Sequence, residues 1–508
     1  MIRQKWLNMG SITIVSDDNE VLRKYMAEET LKQKTAKGLF WGFINNGTQQ
    51  LLNLFFGIFL ARLLTPADYG MVGMLTIFSL IAGSLQESGF IAALANKKEI
   101  THDDYNAVFW FSITVSFCLY WILFFCAPLI ADFYNQPELI PLARYSFLGF
   151  FIASLGVIPG AYVFRNLMVK QKALATVLAL IFSGTTGVLL AYNGFSYWGI
   201  ATQSIVYISV LNIYLWYKCP WRPTWRWNFT PVREMLGFSS KLLFTNIFNH
   251  VNNNIFSIIL GRYYSEKEVG QYNQANKWNY MGFSLISGMV GSVAQPIFAQ
   301  MTDDSERQVR AFRKMLRFTA FISFPCMLGL SLVAPELITI AITDKWIDSA
   351  RILQLLAIWG AFFPIANLYS NLLISRGKSD IYLRNTVTLG ILQLIVIYLL
   401  RSHGIFFMVS VYVGINICWL LVWHYFVQKE IGLPLSSALK DVLPYLGIAG
   451  GVMFVVWSLT QEINNIYLLV CSKIVLAALF YVVVMRCSGA VTFRESFSYV
   501  KSKKKQNG

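Results

Sequence analysis

The sequence predicts an all-α membrane protein of about fourteen transmembrane helices. It predicts two six-helix lobes related by a pseudo-two-fold axis along the membrane normal, then a C-terminal helix pair. Three observations carry this: an apolar, charge-poor composition, alternating basic and non-basic loops, and an internal repeat at 200 residues.

Of 508 residues, 56% are apolar, 16% aromatic and 13% charged. A soluble domain carries about 25% charged residues. Mean hydropathy is +0.51. Spans of about 20 apolar residues are expected near 38–60, 71–95, 107–127, 146–163, 173–192, 195–217, 239–260, 278–300, 316–340, 350–374, 383–400, 404–427, 441–459 and 466–486. The corresponding domains are a cytoplasmic segment 1–37, an N-lobe 38–217 and an inter-lobe loop 218–238. A C-lobe 239–427, an added pair 428–486 and a basic tail 487–508 follow. Residues 1–25 read as a leader or as residues ahead of an alternative start at Met26.

The net charge of +16 is spread between spans rather than gathered in one patch. With a cytoplasmic N-terminus, and with basic residues at the ends of spans counted with the adjoining segment, the cytoplasmic segments hold 33 Lys and Arg and the outer loops hold 8. That is the positive-inside signature, with both termini cytoplasmic. It excludes nucleic acid as the reason for the charge. The aromatic and basic loop 219–229 reads as an interfacial segment by the same logic. The seven cysteines form no CxxC or Cys/His metal spacing, so free buried thiols are expected and no metal site.

Asn46, Asn53, Leu60, Arg62 and Gly70 recur as Asn246, Asn253, Leu260, Arg262 and Gly270. Ala127-Pro128 resembles Ala334-Pro335, and Pro159 and Asn166 have the spacing of Pro364 and Asn371. These pair spans 1 with 7, 3 with 9 and 4 with 10. The unit is therefore six helices, both copies enter the membrane alike, and cargo sites in such designs lie between the lobes.

Span 1 carries Asn46, Gln49, Gln50 and Asn53 on one helical face, and span 7 carries Asn246, Asn249, His250 and Asn253 at the same spacing. Amides facing lipid leave donors and acceptors unmet. Two readings stand: interhelical hydrogen bonding, or a hydrated cavity whose amides bind sugar hydroxyls. His250 and Glu87 are candidates for coupling a cation. Against these stand a neutral hydrogen-bonded histidine and an interfacial acid. Arg62, Arg262, Arg165 and Lys241 are candidate anionic contacts, against snorkelling and ordinary topology. Pro159, Pro296, Pro325 and Pro364 are kinks or hinges, and Glu336 is a structural acid beside Pro335.

No GxxxxGK[ST], HExxH or GxSxG occurs, so neither an ATPase nor an enzyme is expected, and no cofactor.

KQKTAKGLFWG at 32–42, LARLLTPADYG at 60–70, VAPELI at 333–338 with KW at 345–346, and NLLISRGKSD at 371–380 carry a resemblance. Through them the chain resembles lipid-linked oligosaccharide flippases of the polysaccharide transporter family. That family lies within the multidrug/oligosaccharidyl-lipid/polysaccharide exporter superfamily. The resemblance implies a two-lobed bundle with a central, often cationic cavity. It implies alternating access for a polyprenyl-pyrophosphate-linked repeat unit in a bacterial inner membrane, with an H+ or Na+ counter-ion. Glycosyltransferases and a polymerase of the same pathway are the implied partners, with membrane lipids and no nucleic acid. The alternative is a cation-coupled multidrug exporter of the same superfamily.

Replacing Asn46, Gln49, Asn53, Asn246 and Asn253 together with leucine is expected to abolish export while insertion stays normal. Export at the native rate, measured beside membrane abundance, contradicts the cavity reading.

Overall fold

A backbone in hydrocarbon satisfies its polar groups internally, and apolar runs of this length do so as helices. The computed structural model describes residues 47–87, 90, 94, 97, 99–166, 168–301 and 304–488, apart from the side chains of 86–87 and 234–245. Every regular element among them is helical.

Helix α1 covers 47–63. Then come α2 (Pro66–Glu87), α3 (His102–Tyr134), α4 in pieces (Leu139–Ser146, Leu148–Ser154, Val157–Arg165), α5 (Val169–Tyr192) and α6 (Tyr197–Lys218). The second half runs α7 (Thr230–Asn253 and Ile255–Tyr263), α8 (Glu266–Ala299), α9 (Ser305–Ile342), α10 (Ile347–Ser375), α11 (Ser379–Leu399) and α12 (Ile405–Ile431). Helices α13 (Leu435–Leu459) and α14 (Ile466–Cys487) end it. Among the described residues 11 helices are long and apolar enough to cross a membrane, or 12 when α4, bent by 44°, counts as one span. Adding α1 and the polar α7 gives a set compatible with the expected count. This is a multi-pass membrane protein.

The connections split the helix ends into a charge-poor face and a basic face. At the charge-poor face one buried core runs through both halves. It joins Ala61, Met74, Tyr134 and Leu139 to Phe256, Tyr272, Ile338 and Trp346. Toward the basic face the core divides. Phe90, Val108, Ile158 and Trp221 form one part; Phe298, Phe312, Leu372 and Val427 form the other. The halves share one core at the charge-poor face and have separate cores toward the basic face, where the first part of α7, through Val232, packs against the first half.

The join has a pseudo-symmetric centre. A Cβ added to Gly70 would lie 1.7 Å from the Glu266 carbonyl oxygen, and one on Gly270 would lie 1.8 Å from that of Pro66. Positions 66 and 70 therefore meet 266 and 270, their own repeat partners. Only glycine allows α2 and α8 this close. Matched capping boxes start both helices. Thr65 and Asp68 bond reciprocally ahead of α2, and Ser265 and Glu268 do so ahead of α8.

The prolines are docking points. A proline leaves the carbonyl four residues earlier without its helical donor. Four such carbonyls are met by side chains from other helices. Phe124 O accepts from Arg144 Nε at 3.3 Å, Leu155 O from Trp216 Nε1 at 2.8 Å, Phe321 O from Tyr481 Oη at 2.8 Å and Ser331 O from Gln354 Nε2 at 3.3 Å. These correspond to Pro128, Pro159, Pro325 and Pro335. The bonds fix the bends and argue against free hinges at these sites.

The pair α13–α14 is fastened to α9 by buried ion pairs. Near the basic face Asp441 accepts from Arg313 at 2.6 and 3.1 Å and from Arg317 at 3.3 Å. Near the other face Lys473 meets Glu336 at 2.6 Å. Glu336 thus has a partner that its Pro335 neighbour does not reveal. The loop 219–229 is pinned to α3 by Asn106, which donates to Arg226 O at 2.6 Å and accepts from Thr224 N at 2.9 Å. Trp110 stacks on Trp227 there.

All seven cysteines are free, but only Cys219 is buried, and Cys118, Cys326, Cys418, Cys471 and Cys487 are exposed. The expectation of buried thiols is corrected: an apolar run on a membrane protein's outer face is exposed to lipid. Burial pushes the Cys219 thiol pKa up, which leaves it unreactive.

Lys473→Met is expected to destabilise the protein by about 3–5 kcal/mol, because it leaves Glu336 buried and unpaired. Adding Glu336→Met should recover most of that loss in detergent unfolding. A single variant as stable as the native chain contradicts the assignment.

Candidate functional site

The amide stripes lie on α1 and α7, the first helix of each half. On α1, Gln49, Gln50 and Asn53 are half-buried. Asn46 lies outside the described residues. On α7, Asn246 and Asn253 are exposed, and Asn249 and His250 are half-buried. The α7 stripe ends where the helix breaks at Asn254, whose amide side chain donates to His250 O at 2.9 Å.

The two stripes meet separate cavities. Asn53 lines a small one of about 130 Å³ with Tyr69, Gln203 and Lys277. His250 reaches across from the second half to a larger one of about 640 Å³, between α2, α4, α5 and α6. Thr76, Ser79, Ser204, Asn212 and Lys172 supply its polar groups, Gly83 and Gly160 face open space, and Gly156 lets the Asn212 amide approach α4. That volume suits a drug-sized or oligosaccharide-sized ligand, within the usual range of about 300–1,000 Å³.

Lys277 is the residue that sequence reading missed. Span 8 was expected to begin at 278, so Lys277 counted as an outer-loop cation. The structure starts α8 at Glu266, which puts Lys277 about 16 Å along the helix, deep in the membrane. Its side chain lines the small cavity with Asn53, Tyr69 and Gln203. Among the described residues it has neither an ion-pair nor a hydrogen-bond partner. Its ammonium sits over Gly57, where an added Cβ would lie 2.9 Å from Nζ. The available signal was the polar run Gln274, Asn276, Lys277, Asn279 continuing into an apolar stretch.

Three of the expected cations are occupied. Arg165 donates to Leu94 O at 2.9 Å and Lys97 O at 2.6 Å, beyond the end of α2. Arg62 donates to Ile340 O and Ala341 O at 2.7 and 2.8 Å. Arg262 donates to Phe133 O at 2.5 Å. All three engage backbone carbonyls. Glu87 ends α2 on the basic face and Lys241 lies within α7. The side chains of both fall outside the described set.

Residues 59–351 match the family model described as polysaccharide biosynthesis protein. The chain belongs to this family. An uncharacterized membrane protein in the cps region of Klebsiella pneumoniae is 27% identical over 430 residues, 82% of each chain. The lipopolysaccharide biosynthesis protein WzxC of Escherichia coli is 25% identical over 362 residues, 69% of this chain and 72% of that one. Among solved structures, the lipid II flippase MurJ in an inward closed conformation superposes with a TM-score of 0.73. It is 15% identical, covering 89% of this chain and all of that one. At that identity the likeness establishes the fold: two lobes followed by a helix pair.

Proposed function

We propose that the chain flips polyprenyl-pyrophosphate-linked oligosaccharide units across a bacterial cytoplasmic membrane, by alternating access, for polysaccharide assembly. It is a transporter rather than an enzyme. The observation that carries this is the unpartnered Lys277 in a small cavity lined by amides. An unpaired cation at that depth is costly unless an anion or water attends it. The small cavity that Lys277 lines has room for water at rest and takes a phosphate when loaded.

The chemistry divides by position. Lys277 faces the pyrophosphate. Asn53, Gln203 and the α7 amides supply donors and acceptors for hydroxyls. The 640 Å³ cavity takes the sugars next to the phosphate. Sugar rings carry apolar faces as well as hydroxyls, which matches a wall of glycines and aliphatic side chains with scattered Ser and Thr. Hydrocarbon chains stay in the bilayer.

Positive-inside topology makes the basic face cytoplasmic, with both termini there. The basic end then receives cargo from the leaflet where lipid-linked sugars are built. The reading includes an H+ or Na+ counter-ion, with His250 and Glu87 as its candidates. Glycosyltransferases supply the cargo and a polymerase receives it. The apolar part of the large cavity's wall also suits a drug, which keeps the multidrug exporter as the second reading.

Proteoliposomes holding a short-chain polyprenyl-pyrophosphate oligosaccharide test this. Lys277→Met is expected to slow flipping by about tenfold or more, the loss of one charge-assisted contact, and Lys277→Arg to retain most of it. A native rate in Lys277→Met contradicts the phosphate assignment. Efflux of a cationic dye, with no flipping, favours the second reading.

A further inference from the structure

The arginines of the repeated motif have a shared geometry that topology does not require. Arg62 ends α1 in the first half and donates to Ile340 O and Ala341 O, in the last turn of α9 in the second. Arg262 ends α7 in the second half and donates to Phe133 O, with a longer bond to Asp132 O, in the last turn of α3 in the first. The repeat pairs α1 with α7 and α3 with α9. Each arginine therefore makes its partner's contact, across the same boundary, in the opposite direction.

A helix's last carbonyls lack intrahelical donors and carry the negative end of its dipole. The Arg62 guanidinium meets both needs through two arms of its planar fork, Nε and Nη2, and Arg262 through Nη1, which reaches both Phe133 O and Asp132 O. Snorkelling to water would leave these carbonyls open. Both contacts flank the Gly70–Gly270 crossing at the charge-poor face, where the halves share one core.

We infer that Arg62 and Arg262 are paired latches that hold the charge-poor face shut, so this face opens only when both release. The inference rests on the alternating-access reading above. The latches are unequal. The Arg62 side adds two more bonds across the boundary: Lys345 Nζ to Arg62 O at 2.7 Å and Trp346 Nε1 to Ala61 O at 2.9 Å. The Arg262 guanidinium adds its position over the Phe133 ring, 5.3 Å from the centroid. The Arg62 side is therefore bonded in both directions across the boundary.

Hydrogen exchange on the full chain in lipid nanodiscs tests this at the amides of 69–75 and 269–275, beside the crossing. Arg62→Met is expected to speed exchange about tenfold, Arg262→Met about threefold and the double variant about thirtyfold, the product expected of independent latches. Arg62→Lys, which retains the charge without the fork, should fall between native and Arg62→Met. Exchange at 441–456 and 473–485, where α13 and α14 pack on α9, should stay native. Unchanged exchange at the crossing, or a double variant no faster than Arg62→Met, overturns the inference. So does an equal rise at the control segments, because it marks lost packing rather than one face opening. The Lys277 variants, which leave the latches intact, report separately on the cargo reading.

Discussion

The close crossing of α2 and α8 is the constraint on which the rest of the structure depends. Gly70 and Gly270 let two backbones approach where any side chain would strike a carbonyl oxygen. That contact sets the start of both helices, and the capping boxes fix the turns leading into them. It gathers Tyr69, Trp346, Phe256 and Tyr272 into a core that neither half builds alone. Toward the basic face the cores separate, and α7 of the second half packs on α2 and α3 there.

Each half keeps its own core toward the basic face, where α7 packs on α2 and α3. The carbonyls freed by Pro128, Pro159, Pro325 and Pro335 are each bonded to another helix. Bending is therefore built in rather than left adjustable. The ion pairs of Asp441 and Glu336 make α13 and α14 ride with α9. Motion between two such bodies concentrates where few contacts cross, which is how rigid lobes convert a local event at a bound headgroup into opening elsewhere.

Much of this was legible in the sequence. Long apolar runs and alternating charge point to a helical multi-pass bundle, and the described helices are compatible with the expected count, because lipid demands both features. The 200-residue shift that matched Arg62 with Arg262 and Gly70 with Gly270 marks the lobe boundary. Less legible was what those residues touch. An arginine at a helix end reads as interfacial or anion-binding, since sequence gives no sign of a carbonyl arriving from a helix some 280 positions away. Lys277 was lost for a related reason. The first turns of α8 are polar because they pack on α2, α10 and the small cavity rather than on lipid, and a hydropathy window takes such turns for a loop. The stripes were found by helical spacing, but not that they line separate cavities, because that depends on how α5 and α6 pack.

Pairs of spin labels on cysteine-substituted protein in proteoliposomes give the most direct measurement of the central claim. One pair spans the halves at their basic ends and the other at their charge-poor ends, with and without lipid-linked oligosaccharide. A pivoting crossing predicts opposite changes: cargo draws the basic ends together and parts the charge-poor ends. Distances that change in the same sense, or do not respond to cargo, contradict it.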